Sequence, residues 1–274
     1  MFYDVNPPFT VTSLHRMVLD RTFRADFHFD GEKHDFWEVV YVLSGKLEVT
    51  EDENVYVLGE RDIIFHAPDE FHRLRSVDNT RPHVLNFSFR AAGEVPAHLT
   101  EGVLNLSPEL HSEYVDCFSA MRRTVRALRK ETEPEISMCE VTSRLTAILM
   151  RLTRESSAKD SVSTSAGAKS YSALVELMHK EVRKNLSLED FAKISFISVS
   201  YIKKLFSRYA GISPKSYYVN LRTAEARRLL QTDIPVYEVS EMMNFSSAGY
   251  FTIFFKNQTG QTPMEFKKMQ NEKL

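Results

Sequence analysis

Apolar positions along the chain follow two successive periods. Residues 10–90 read as strands. FWEVVYVLS (36–44), KLEVTED (46–52), NVYVLG (54–59), DIIFHAP (62–68) and PHVLNFSFR (82–90) are β-branched and aromatic runs, cut by Gly, Asp-Glu-Asn and Pro. Short strands this close together predict a small barrel or sandwich. From 108 to 154 the spacing lengthens to steps of three and four: Leu110, Tyr114, Cys117, Met121, Val125 and Leu128, then Val141, Leu145, Ile148 and Leu152. Two helices are predicted, separated around Pro134. Each stripe needs a surface to bury it, either the barrel or a second subunit. The first stripe is flanked by Arg122, Arg123, Arg126, Arg129 and Lys130. It is read here as the seam of a homodimer.

Between Glu155 and Tyr171 the chain reads SSAKDSVSTSAGAKS, with Val162 its one β-branched aliphatic residue. Such a stretch buries little and reads as a flexible linker, 156–169, dividing a domain at 1–155 from one at 170–274. After it the pattern is helical to the end. SYSALVELMHKEVRKN (170–185) is amphipathic, and Ser187, Ser198, Ser213-Pro214 and Ser246-Ser247 stand where N-caps belong. Gly211 and Gly260 stand where helices stop. The expected fold class is therefore multidomain α+β, a β-barrel with two helices followed by an all-α domain.

Composition changes this picture little until it is divided. Apolar residues are 43% and charged residues 26%, ordinary for a soluble globular chain. No stretch approaches the run of about 18 apolar residues that a membrane helix needs. The start, MFYDVNPPFTVTSLHR, lacks a basic segment followed by an apolar run, so no secretory signal is expected. The two cysteines, Cys117 and Cys139, fit thiols in a reducing cytoplasm better than a disulfide framework. Net charge is −2, yet residues 170–274 hold 15 Lys and Arg against 10 Asp and Glu, while residues 1–169 hold 20 against 27. The basic third suits a phosphate backbone.

That third contains one motif twice. SFISVSYIKKLFSRYAGISP begins at Ser195 and NFSSAGYFTIFFKNQTGQTP at Asn244, and they agree at Phe196/Phe245, Ser198/Ser247, Tyr201/Tyr250, Phe206/Phe255, Gly211/Gly260 and Pro214/Pro263. Each copy reads as a short helix, a tight turn and a second helix, the helix-turn-helix arrangement whose second helix enters the DNA major groove. By spacing, Phe196, Ile202, Leu205 and Phe206 face the core of the first copy. Val199, Ser200, Lys203, Lys204 and Ser207 face out. The matching positions of the second copy are Ala248, Gly249, Thr252 and Ile253, none of them charged. Ser246, Ser247 and Lys256, with Asn257, are placed to bind phosphate. Of Arg222, Arg227 and Arg228, some are candidates for phosphate contact and one for pairing with Glu225 or Glu238 inside the domain.

From about Ser170 to Lys268 the chain resembles the AraC-type transcription regulators, most specifically in RTAEARRLL and FKNQTGQTPMEFKK. One departure is Asn244, where the family usually has Gly. The resemblance implies that Val199, Ser200, Lys203 and Lys204 read bases: Lys donates to guanine, Ser reads tolerantly, and Val packs on a thymine methyl.

The segment HDFWEVVYVLSGKLEVTEDENVYVLGERDIIFHAPDEFHRL (34–74) resembles the cupin barrel. Where metal-binding cupins place their ligands, this chain has Glu32, His34, Glu38 and His72. Strand alternation puts His34, Phe36, Glu38, Val40 and Val42 on one face, with Trp37, Val39 and Tyr41 on the other. His34, Glu38 and His72 are read as polar groups in an apolar mouth, a site for a small molecule such as a sugar or other hydroxylated compound. The reading is a cytoplasmic transcription regulator with no cofactor and no catalytic residues. Its partners are double-stranded DNA, a small-molecule effector and a second copy of the chain, with RNA polymerase a further candidate. The alternatives are a metal-dependent cupin enzyme fused to a DNA-binding domain, and a dimeric DNA-binding module that needs no effector.

Overall fold

In WEVVYVLS, alternate side chains leave a strand on opposite faces. Val40 and Val42 join Leu47, Val49, Leu58, Ile64, Leu74 and Val84 in one buried cluster, while Val39 and Tyr41 join Ile63, Phe65, Leu85, Phe87 and Phe89 in another. A strand buried on both faces must lie between two layers, and that organises the first of two compact units, Met1–Ser163 and Thr164–Leu274. The computed structural model describes residues 7–100, 102–127, 134–155, 157–159, 162–163 and 165–271.

The first unit contains β1 (Phe9–Thr22), β2 (His28–Glu32), β3 (Trp37–Ser44), β4 (Leu47–Glu51), β5 (Asn54–Leu58), β6 (Asp62–His66), β7 (His72–Ser76), β8 (His83–Gly93) and β9 (Val103–Asn105). Then come α1 (Pro108–Ala127), α2 (Pro134–Glu155) and β10 (Ser157–Lys159). One sheet runs β1-β8-β3-β6-β9-β10 and the other β2-β7-β4-β5, with antiparallel pairs throughout. The inner cluster draws residues from both sheets. The outer cluster lies between the larger sheet and α1 and α2.

Two expectations change here. Leu110, Tyr114, Cys117 and Met121 are buried within their own chain, in the cluster that holds Phe87 and Phe89. Val125 is half-buried, and Leu128, Arg129 and Lys130 lie outside the described residues. The stripe is therefore intramolecular core and not a dimer seam: the outer face of the sheet is itself apolar and covers it. The segment read as a linker also differs. Ser157–Lys159 pairs with β9, Val162 bridges Tyr56, and the Ser163 amide donates to the Val55 carbonyl at 2.6 Å. Unpaired edge backbone on β9 and β5 accounts for this, since strand pairing needs no apolar side chains.

The second unit is helical: α3 (Ala166–Lys180), α4 (Leu188–Ser195), α5 (Val199–Tyr209), α6 (Pro214–Leu230), α7 (Val236–Met242), α8 (Ala248–Thr259) and α9 (Pro263–Asn271). The α3 helix begins four residues before the expected Ser170 because Ser165 caps it, accepting from the Ala168 amide. Ser187, Ser198, Ser213 and Ser247 cap the helices that follow them, and Ser187 forms a reciprocal capping box with Asp190. Gly260 takes the left-handed conformation at φ 77° that closes α8.

The two copies differ at the turn. In the first, Phe196 closes α4 in the left-handed region at φ 55° and is 94% exposed. In the second, Asn244 takes that conformation, also at φ 55°, and the following Phe245 packs into the core. From the left-handed residue to the N-cap is two residues in the first turn and three in the second. Phe196 is thus the structural counterpart of Asn244, and the Phe196/Phe245 match is one of letters only. Its expected core placement is overturned. A bulky residue held left-handed costs about 1–2 kcal/mol.

Candidate DNA-reading face and barrel site

The α5 helix is anchored by Ile202, Leu205, Phe206 and Tyr209, all buried. This turns Ser200, Lys203, Lys204 and Ser207 to solvent and leaves Val199 half-buried. The Ser198 hydroxyl accepts from the Tyr201 amide at 3.2 Å and so fixes the first turn. Phe251 and Phe255 anchor α8. Ala248, Gly249 and Lys256 are exposed, Ile253 is 58% exposed, and Thr252 is half-buried with its hydroxyl donating to the Ala248 carbonyl at 2.8 Å. Ser246 and Ser247 are exposed, and the Ser247 hydroxyl accepts from the Tyr250 amide. Each copy thus presents one helix face with no apolar anchor on it.

The arginines on α6 divide. Arg228 pairs with Glu225, which Arg183 also meets at 2.8 Å. Arg227 is exposed. Arg222 is buried and bonds both the loop before α4 and the turn before α8, a role the sequence did not disclose.

In the barrel, β3 and the loop before it bring His34 and Glu38 together, with His34 Nε2 at 3.3 Å from Glu38 Oε2. The His34 Nδ1 is 2.8 Å from the Phe36 carbonyl. His72, at the start of β7, places Nε2 at 3.5 Å from Glu38 Oε1 and 3.8 Å from Glu32 Oε1. The Asn86 amide donates to Glu38 at 2.6 Å. Burial alone would raise the Glu38 carboxyl, but contact with His72, the charges of His72 and His66, and the Asn86 bond hold it at about 2. Burial works against protonation of His72, yet Glu38 and Glu32 raise it on balance. The three residues chosen from sequence, His34, Glu38 and His72, therefore do meet.

The polar site is larger than they suggest. His66 stacks on His72 with ring centroids 4.1 Å apart, and its Nδ1 lies 3.0 Å from Glu51. Glu70 joins Glu51 and accepts from the Ala67 amide at 2.7 Å. Alternation carries the missing signal. Glu51 continues Leu47 and Val49, His66 continues Ile64, and Asn86 continues Val84, all of them inward positions. Among the described residues His66 Nε2 is buried without a hydrogen-bond partner, while His34 Nε2 and His72 Nε2 meet only the Glu38 and Glu32 carboxylates. Two donor groups among the described residues have ligand atoms within 4.8 Å of one another: Glu32, His34, Glu38 and His72, and separately Glu51, His66 and Glu70. Imidazole with carboxylate suits Fe(II), Mn or Zn, and the same groups equally suit the hydroxyls of an organic ligand.

Burial, with the charges of Asp52 and Glu53, pushes Glu51 up to about 8 although its hydrogen bond with Glu70 works the other way, and burial with the charge of Glu51 pushes Glu70 up to about 8. An acid raised on folding holds its proton in the native state after the unfolded chain has released it. Stability therefore falls as pH rises from about 4.5 to about 8. Glu51→Gln removes one titrating partner. We expect its thermal midpoint to decline less between pH 5 and pH 8 than that of the wild type, and to exceed it at pH 8. Parallel pH profiles for the two proteins would mean that Glu51 does not titrate in this range.

Two family models match, a helix-turn-helix domain at residues 191–269 and a cupin domain at 27–99. The chain is 21% identical over 255 residues to the HTH-type transcriptional activator RhaR of Escherichia coli, covering 89% of each chain. It is 24% identical over 258 residues to the uncharacterized HTH-type transcriptional regulator YfiF of Bacillus subtilis, covering 88% of this chain and 79% of that one. Among solved structures, it is 30% identical to a transcriptional regulator from Chromobacterium violaceum described among AraC-type DNA-binding domain-containing proteins. That match covers 39% of this chain and 96% of the other, with a TM-score of 0.34. Among the described residues no helix is long and apolar enough to cross a membrane.

Proposed function

The chain belongs to the AraC-type transcription regulators, and from that premise we propose how its two units divide the work. It is a DNA-binding regulator with a cupin domain, and we assign base reading to α5 and support to α8. The carrying observation is that Val199, Ser200, Lys203 and Lys204 occupy the unanchored side of α5 while its other side is buried. Lys donates in the major groove, whereas Ala248, Gly249, Thr252 and Ile253 offer methyl contacts, with Ser246, Ser247 and Lys256 beside them for phosphate. Lys203→Ala and Lys204→Ala test this. A base reader lost costs about 1–3 kcal/mol on the preferred site and relaxes choice there, while a lost phosphate contact weakens all sites alike. Unchanged affinity for selected and random duplexes in both variants would remove α5 as the reader.

For the barrel we propose a small hydroxylated effector held by His34, Glu38 and His72. A buried, ionised carboxylate ringed by imidazoles supports this, because together they offer acceptors and donors to neutral hydroxyls. Screening monosaccharides and polyols by thermal shift checks it. A ligand at one hundred times its Kd stabilises by about 2.7 kcal/mol, and Glu38→Gln should abolish the shift. A shift that survives in the variant places the ligand elsewhere. In this reading the protein acts in the cytoplasm, is not an enzyme, and works with a second copy of itself and with RNA polymerase. Effector binding acts only through different affinity for two arrangements of the chain.

A further inference from the structure

We propose that Arg222 is a positioning residue that fixes the separation of the two reading helices, α5 and α8, and thereby makes the protein accept two DNA half-sites at one spacing only. The proposal rests on the assignment of α5 and α8 to DNA.

Arg222 lies midway along α6, the helix joining the two copies, and is 4% exposed. Its guanidinium forks. One terminal nitrogen donates to Asn185 Oδ1, in the loop entering the first copy, at 2.6 Å. The other donates to the Met243 carbonyl, in the turn leading to α8, at 2.6 Å. Two aromatic rings of the second copy, Phe245 and Phe254, lie 4.6 and 5.6 Å from the guanidinium carbon. One turn earlier on the same face of α6, Tyr218 donates to the Glu181 and Lys184 carbonyls, both before the first copy. One turn later, Ala226, Leu229 and Leu230 share the core cluster of the second copy, with Val239, Met243, Phe251 and Phe255. Tyr218 thus holds one side, Ala226 the other, and Arg222 spans both.

The chemistry argues for a specific role. Among the described residues no carboxylate pairs with Arg222; its partners are an amide oxygen, a backbone carbonyl and two rings. A buried charge without a counter-ion is costly, and apolar packing would hold two helices together with less penalty. What apolar packing lacks is direction. A planar fork satisfied on both prongs sets distance and angle together, whereas a lysine ammonium is a compact point charge whose rotatable donors fix no such angle. Half-site spacing is a geometric property of this kind, since each inserted base pair adds about 3.4 Å of rise and a tenth of a turn.

The test uses the full chain and a two-half-site duplex selected by the wild type from random DNA. Binding is compared on that duplex, on versions with one and two base pairs inserted between the halves, and on each half alone. The wild type should lose at least about tenfold on insertion, which is about 1.4 kcal/mol. Arg222→Met and Arg222→Lys should bind single halves as the wild type does, yet lose less than about threefold on insertion, a gap under about 0.7 kcal/mol. Asn185→Ala cuts only one prong and should show the same flattening, so it decides the matter if the Arg222 variants fail to fold. The proposal is overturned if folded variants keep the wild-type spacing penalty. It is also overturned if single-half binding falls as far as paired binding, which is the mark of general damage, or if the wild type ignores insertions. A wild type that selects no duplex defeats the DNA-reading assignment instead.

Discussion

Met121→Glu is expected to leave no folded first unit. Met121 is 1% exposed inside a single chain, between α1 and the outer face of the larger sheet, with Phe87, Phe118 and Leu145 in the same cluster. Among the described residues no buried cation belongs to that cluster to meet the new carboxylate. An uncompensated buried charge costs about 3–5 kcal/mol, and the lost methionine burial adds about 1.5–3 kcal/mol. Domain stability is about 5–15 kcal/mol in total. Near-ultraviolet circular dichroism and solubility read the outcome. Val125→Glu, one turn on at a half-buried position, should fold with a modest loss. A soluble, folded, monomeric Met121→Glu protein would mean that the α1 stripe buries itself against a second subunit after all.

That stripe shows where sequence reading stops. Its period correctly gives a helix with one apolar face, because period depends on local geometry alone. Whether the face meets the chain's own sheet or another copy depends on the apolarity of the sheet's outer side. FWEVVYVLS already hinted at this through Val39 and Tyr41, both now in the outer cluster. Caps were legible, as Ser187, Ser198, Ser213 and Ser247 each bond an amide three residues on. The site was half legible. His34, Glu38 and His72 follow the barrel motif, whereas Glu51, His66 and Asn86 become visible only when alternation is followed along every strand. Phe196 misled for a physical reason. A turn one residue shorter moves a shared letter from the core to solvent, and aligned letters carry no information about φ.

DNA binding by the second unit should fall steeply with salt, by about 10³–10⁵ between 50 and 200 mM if six to ten phosphates are neutralised. Residues 170–274 carry five more basic than acidic side chains. Among them Lys203, Lys204 and Lys256 stand on the exposed sides of α5 and α8, while Arg222 and Arg228 are committed inside the domain. Each phosphate neutralised contributes about −0.9 to the slope of log K against log salt. Fragment choice matters. A chain cut at Ser170 loses the Ser165 cap and the buried Ala168, so α3 frays and with it the packing of Tyr171 on Phe206 and Tyr209. A fragment beginning at Thr164 keeps them and should bind more tightly at every salt concentration with the same slope, because the cut removes folding free energy and no phosphate contact. Fluorescence anisotropy on a single duplex across the salt range measures both quantities. Equal affinities would mean that the first turn of α3 is dispensable, and a flat response from the longer fragment would sink the assignment of this unit to DNA.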